Sequence, residues 1–204
     1  MSTGRRMMTT NYWNHNSAYY PWVLEKTRGC HRVLDVGCGN GELAFLLGRG
    51  DSSVVGIDPS EECVAGARAR AGEEKIRFTC TSFDDFDADG YFDAIVFVAS
   101  LHHMDMERAL ARAKELLAPG GVIAVVGLAS PSSALDHAIE VLRVVPSWVS
   151  SRLHRMRTSE DLGIPTSYEL PTMAQVRKAA SRHLPGSTIR HGLHWRYLLS
   201  WRKT

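Results

Sequence analysis

Val33-Leu34-Asp35-Val36-Gly37-Cys38-Gly39-Asn40-Gly41-Glu42 joins an apolar strand to a glycine-rich turn, after which Leu43, Leu46 and Leu47 open a helix on one face. A strand–turn–helix unit of this kind brings a nucleotide-like ligand up to backbone N–H groups. Downstream, the same alternation repeats. Strands are expected over 53–58, 75–80, 92–98 and 121–128, besides 32–36 for the opening run. Helices are expected over 41–49, 60–71 and 105–118. Ser60 caps the second of these, with Glu61 and Glu62 in its first turn. Met106, Ala109, Leu110, Ala113, Leu116 and Leu117 give the third its helical spacing, and Pro119-Gly120 stops it. Ala94–Ala99 and Val122–Gly127 are unbroken apolar runs, as strands buried on both faces require. The pattern is that of an α/β doubly wound sheet, mostly parallel.

The flanks differ from this core. Residues 1–10 are polar. Residues 11–27 hold Tyr12, Trp13, Tyr19, Tyr20 and Trp22 and read as a helical cap interrupted near Pro21. Residues 131–145 read as helical and 146–171 as irregular. Helix 172–183 begins with the capping box Thr172-x-x-Gln175. Pro185-Gly186 breaks the chain, and a terminal hairpin turns near Gly192. Its last strand alternates through Leu193, Trp195, Tyr197, Leu199 and Trp201 and is expected to run antiparallel. The reading is one domain over 1–204. Residues 1–27 form its cap, 28–128 its ligand-binding core, and 129–204 the further cap helices and the hairpin.

Composition narrows the function. A net charge of +2 does not mark a nucleic-acid binder. Arg143, Arg152, Arg155 and Arg157 read as a solvated face. No Asn/Asp-Pro-Pro-Tyr/Phe run follows the fourth strand to hold a flipped base, and no Pro-Cys nucleophile is present. No apolar run reaches the ~18–20 residues of a membrane span, and no apolar segment follows Arg5 and Arg6 as a signal peptide would. Cys30, Cys38, Cys63 and Cys80 form no C-x-x-C pair and no metal-ligand spacing. They read as free thiols of a cytoplasmic protein without a metal. A homodimer is compatible with this composition.

Charge separates the cofactors that use such a turn. A dinucleotide fingerprint carries a third glycine where this chain has Glu42, and Asp35 precedes the turn. Two unit charges ~4 Å apart at an effective dielectric of ~20 interact by about 4 kcal/mol, so both acids oppose a pyrophosphate. The turn suits a cationic ligand without phosphate, and S-adenosylmethionine, with its ammonium and sulfonium, fits. Asp58 ends the second strand, placed to bind both ribose hydroxyls, and Pro59 and Ser60 follow it.

At VLDVGCGNG (33–41), GIDPS (56–60), FDAIVFVASLHH (92–103) and LLAPGG (116–121) the chain resembles the class I S-adenosylmethionine-dependent methyltransferases. The resemblance spans roughly residues 30–128 and implies a Rossmann-like, seven-stranded sheet with an antiparallel C-terminal strand. It further implies that Gly37, Cys38 and Gly39 bring backbone to the cofactor, with Cys38 also explained as a small residue that fits a tight turn. Asp35 would lie near the cofactor's amino-acid moiety, Asp58 and Pro59 at its ribose, and Val98 and Ala99 beside its methionine end. Where the family has an acid for the adenine amino group, this chain has Ser82 and Phe83. Either Ser82 makes that contact or Asp84 reaches back.

The implied reaction is methyl transfer to a small-molecule acceptor, with oxygen or nitrogen ahead of carbon. His102 and His103 follow the fourth strand, where the methyl should point, and are candidate bases. Tyr12, Trp13 and Tyr20 are candidate lid residues over the substrate. The same residues would also serve a non-catalytic S-adenosylmethionine-binding regulatory or assembly protein, and an NAD-linked oxidoreductase is disfavoured by Asp35 and Glu42.

Overall fold

The computed structural model describes residues 16–72, 75–130, 170–193 and 195–204. Among them runs a seven-stranded sheet of order β3-β2-β1-β4-β5-β7-β6. The strands are β1 (Arg32–Val36), β2 (Ser53–Asp58), β3 (Ile76–Cys80), β4 (Phe92–Val98), β5 (Leu117–Leu128), β6 (Thr188–His191) and β7 (Arg196–Arg202). β1 to β5 pair in parallel, and β7 lies antiparallel to both β5 and β6. Among the described residues the α-helices are α1 (Tyr20–Lys26), α2 (Glu42–Leu47), α3 (Glu61–Arg70), α4 (Met106–Leu116) and α5 (Met173–His183).

Strand alternation divides the core between two faces. Leu34, Val36, Ile95, Phe97, Ile123 and Val125 pack with α4 and α5. Val33, Ala94, Val96, Val122, Ala124 and Val126 pack on the other face with residues of α1, α2 and α3. Both faces are covered, which is why these strands read as continuous apolar runs. The caps are made as the sequence requires. Ser60 Oγ accepts from Cys63 N, Asp105 from Arg108 N, and Thr172 and Gln175 form the reciprocal box.

Several boundaries differ from expectation. Pro21 does not interrupt a helix. It stands in the first turn of α1, where its missing N–H is not needed, behind a 3-10 turn at Ser17–Tyr19. α4 ends at Leu116 rather than 118, and Pro119-Gly120 lies inside β5, beside an irregularity in the pairing with β4. Leu193 and Trp195 belong to the hairpin turn and not to the last strand. Trp195 takes φ +62 there and is half exposed, and the buried alternation runs only through Tyr197, Leu199 and Trp201. The expected elements at 131–145 and 146–169, the basic run of Arg143, Arg152, Arg155 and Arg157, and the lid residues Tyr12 and Trp13 lie outside the described residues.

Candidate active site

Sheet order fixes where a ligand can enter. The chain winds outward from β1 through β2 to β3, then returns to place β4 on the other side of β1. At this reversal the connections leave in opposite directions and open a crevice at the carboxyl ends of β1 and β4. The turn after β1 lies there. Gly37 and Cys38 donate to Ile57 O at 2.8 and 3.0 Å, which folds the turn back over the end of β2. Gly37, Gly39 and Gly41 take φ of +74, +50 and +80, a region costly to side chains. A Cβ on Gly37 would stand 2.4 Å from Ser100 Cβ and one on Gly41 2.6 Å from the Phe78 ring, whereas one on Gly39 meets nothing within 4 Å. Packing therefore explains the bareness of Gly37 and Gly41 but not that of Gly39.

Asp58 holds the turn. Its Oδ2 accepts from Gly39 N and its Oδ1 from Ser60 N, both at 2.9 Å, so one carboxylate ties the glycine turn to the start of α3. Each oxygen keeps a lone pair for a further donor. Pro59 leads from Asp58 into this cap, and Pro59 O accepts from Cys80 Sγ.

Asp35 is 2% exposed. The Ala44 backbone N–H reaches its carboxylate, but burial and the charge of Asp58 lift its pKa to about 7. Its Oδ2 has no hydrogen-bond partner. Glu42 does not act with it as expected, because Arg70 Nη1 lies 2.7 Å from Glu42 Oε1 and compensates its charge. The opposition to a pyrophosphate therefore rests chiefly on Asp58, since Asp35 is held largely as the neutral acid. Cys38 is buried beside Gly56, and burial, Asp35 and Asp58 push its thiol above its usual range. This is the environment of a small packing residue, and only its backbone faces the turn's chemistry.

Where the resemblance would put adenine, both Ser82 and Asp84 have partners within the protein. Ser82 Oγ donates to Asp85 Oδ2 at 2.6 Å and accepts from Asp85 N, closing a turn on itself. The Phe83 ring is buried, edge-on to Phe97, so only its backbone can face the cleft. Asp84 pairs with Arg108 Nε at 3.3 Å rather than reaching back.

Beyond β4, Val98 packs half-buried against the α1–α3 face, and Ala99 stands at φ +53 with its N–H on Val126 O at 2.8 Å. A non-glycine residue held in that region signals a turn forced by its surroundings. Ser100, which the sequence reading passed over, follows. Its buried hydroxyl donates to Val36 O at 2.6 Å and locks the end of β4 to the end of β1. A polar residue directly after an apolar run was the only sign of it.

His102 and His103 then stack with centroids 4.0 Å apart. Burial, His103 and Arg196 lower the pKa of His102 to about 4, and its Nδ1 is buried without a partner. An imidazole so depressed is neutral at pH 7 and a weak base, which counts against the general-base role. Asp35 Oδ2 and His102 Nδ1 are, among the described residues, the buried side-chain polar atoms lacking a hydrogen bond. They belong to the turns and strand ends of neighbouring β1 and β4.

The two chain ends meet over this edge. The Tyr19 hydroxyl donates to Leu193 O at 3.1 Å and accepts from Leu193 N. Arg196 Nε and Nη2 donate to Asn16 Oδ1 at 3.0 and 2.6 Å. Tyr20, the expected lid residue, lies partly buried against the core on the α1 face. Contacts across more than 170 residues leave no trace in local sequence.

A family model for a methyltransferase domain matches residues 33–121. A Mycobacterium tuberculosis protein described as an uncharacterized methyltransferase is 33% identical over 198 residues, 93% of this chain and 96% of its own. A ubiquinone biosynthesis O-methyltransferase of Bradyrhizobium is 32% identical over 126 residues, 60% of this chain and 50% of that one. Among solved structures, an S-adenosylmethionine-dependent methyltransferase from Mesorhizobium loti superposes with a TM-score of 0.64 at 20% identity, covering 91% of this chain and 96% of that one. The magnesium protoporphyrin IX methyltransferase of Synechocystis, solved with bound S-adenosylmethionine, gives 0.59 at 16%, covering 93% and 78%. At these identities the structural likeness is one of fold.

Proposed function

The chain belongs to the class I S-adenosylmethionine-dependent methyltransferases and transfers a methyl group to a small-molecule acceptor, and from that premise we propose which of its residues do the work. Asp35, Gly37, Gly39 and Asp58 hold the cofactor, and His102 faces the acceptor. The observation that carries this reading is the pair of orphaned buried atoms, Asp35 Oδ2 and His102 Nδ1, at the crevice between β1 and β4. Buried polar groups are rarely left unsatisfied, and a bound ligand or an ordered water is what completes them.

When bound, S-adenosylmethionine supplies an electrophilic methyl carried on a sulfonium. Asp58 offers its remaining lone pairs to the two ribose hydroxyls while the Gly39 and Ser60 N–H groups hold it in place. Gly37 and Gly39 let backbone approach where a side chain would intrude. Asp35 takes the cationic amino-acid end, and the Ser82–Phe83 backbone borders adenine. His102, neutral at pH 7, orients the acceptor through Nδ1, and alignment rather than proton abstraction supplies most of the rate, on the order of 7–11 kcal/mol for well-placed partners. We take oxygen as the acceptor atom, a choice supported by the O-methyltransferase relatives.

Calorimetric titration tests the cofactor assignment. S-adenosylmethionine and S-adenosylhomocysteine should bind in the micromolar range and NAD should not. Asp58→Ala should weaken binding by ~1.5–3 kcal/mol through lost charge-assisted hydrogen bonds. Wild-type affinity in that variant removes Asp58 from the ribose site. Radiolabelled methyl transfer into cell-extract fractions then identifies the acceptor. His102→Ala should retain product affinity and lose turnover on it.

A further inference from the structure

Asp35 is a carboxyl group placed where it cannot comfortably be an anion and is never offered enough donors to become one. It is 2% exposed and its Oδ2 has no partner. Its register neighbours across the sheet are Gly56 of β2 and Val96 of β4, neither of which brings charge. The groups that do face it are few. Asp58, at the end of β2, is an acid and opposes ionisation. The Cys38 thiol in the turn is itself kept protonated by its surroundings. From α2 comes only the Ala44 backbone N–H, because Glu42 of that helix is turned to Arg70. From beyond β4, the Ser100 hydroxyl is committed to Val36 O. Among the described residues, the influences on Asp35 are its burial, the Asp58 charge and the Ala44 N–H, none of them cationic. A buried acid in such a place keeps its proton until a cation arrives.

We propose that Asp35 exchanges its proton for the ligand's ammonium and thereby restricts the site to nucleosides that carry an ammonium-bearing aminoacyl arm. The proposal rests on the cofactor reading above and deepens it. The balance is simple. In the empty site, below pH 7, the carboxyl O–H bond is largely intact. When an ammonium enters, that bond breaks, the proton passes to solvent, and the carboxylate and ammonium form a charge-assisted pair whose attraction is strong in the buried setting. No bond to the ligand is made or broken. A nucleoside lacking the ammonium gives the carboxylate nothing in return, so Asp35 stays protonated and contributes no charge to binding. The residue is therefore a gate on ligand charge as well as a contact.

Linkage gives the consequence. Burial has moved Asp35 to about 7, so the free protein holds this proton at pH 5.5 and has released half of it at pH 7.0. The ligand's ammonium, with an ordinary pKa of about 7.7–8, is charged at both values. Affinity for an ammonium-bearing nucleoside should then rise roughly tenfold from pH 5.5 to 7.0, with close to one proton released per site at the lower pH.

The test is titration calorimetry of the whole chain at both pH values, in buffers of different ionisation enthalpy so that proton release is counted directly. Three ligands are compared: S-adenosylmethionine, S-adenosylhomocysteine and 5′-methylthioadenosine. The first two share the ammonium, and the third has none. The expected result is proton release and about a tenfold pH effect for the first two, with neither for the third. Asp35→Asn should bind S-adenosylhomocysteine without proton release and with no pH dependence. The wild-type proton count stands even if that variant folds poorly. PH-independent binding of S-adenosylhomocysteine without proton release overturns the proposal and leaves the cofactor reading intact. Proton release with 5′-methylthioadenosine also overturns it, by moving the exchange to Asp58. If none of the three binds at either pH, the cofactor reading falls and this proposal with it.

Discussion

The carboxyl of Asp35 and the imidazole of His102 pull stability in opposite directions with pH, and the sign of each follows from burial. Asp35 stands at about 7 when folded against an ordinary 3.8, so the folded chain holds its proton over that range while the unfolded chain does not. Stability from this group is therefore full below pH ~4 and is lost as pH rises to about 7, by something on the order of 4 kcal/mol. His102 is held at about 4 against 6.5, so its contribution is present above pH ~6.5 and is lost as pH falls toward 4. Ligand-free Asp35→Asn should consequently melt above the wild type at pH 7.5, with the gap closing near pH 4.5. Equal melting temperatures at pH 7.5 would show that the carboxyl is not strained in the empty site. The glycines give a second contrast. Gly37→Ala drives a Cβ into Ser100 and should cost ~1–3 kcal/mol of stability along with cofactor binding. Gly39→Ala meets no protein atom, so its stability loss should stay at the ~1–2 kcal/mol of a left-handed alanine while cofactor affinity collapses. Thermal melts beside calorimetry separate the two.

At the scale of elements, the caps at Ser60 and Thr172 were legible because they are local, whereas Asp105, expected inside its helix, proves to be the cap before it. Ser60, Asp105 and Thr172 each bond within three residues of themselves, and Thr172→Ala should cost about 1 kcal/mol in a thermal melt. The hairpin turn was not legible. Trp195 has the alternation of a strand residue, yet it turns at φ +62 because β7 begins only where Arg196 pairs with Leu128 of β5. What holds that turn comes from the far end of the chain, through Tyr19 on Leu193 and Asn16 on Arg196. Tyr19→Phe removes both hydroxyl bonds to Leu193. Hydrogen exchange at the Leu193 amide and in α1 should speed up, while S-adenosylhomocysteine affinity should hardly change. Unaltered exchange would mean that the ring's packing alone secures the junction. Tyr19 and Tyr20 both lie partly buried against the same core face, a placement that only the packed structure gives.

Across the whole molecule, the sequence by itself determined the order of strands and helices, the parallel sheet covered on both faces, the glycine turn and Asp58, and through them the methyltransferase family. These follow from periodicity, from φ-permissive glycines and from acids at strand ends, all of which act within a few residues. The crevice arose only when β4 came to lie against β1. That juxtaposition set Ser100 on Val36, left Asp35 Oδ2 and His102 Nδ1 without partners, and gave Asp35 its proton. Packing also pairs Glu42 with Arg70 and Asp84 with Arg108, partners that lie far along the chain and that local sequence does not announce. A residue's charge type is written in the chain. Whether that charge is compensated, and whether it is kept at all, depends on the dielectric and the neighbours that packing supplies.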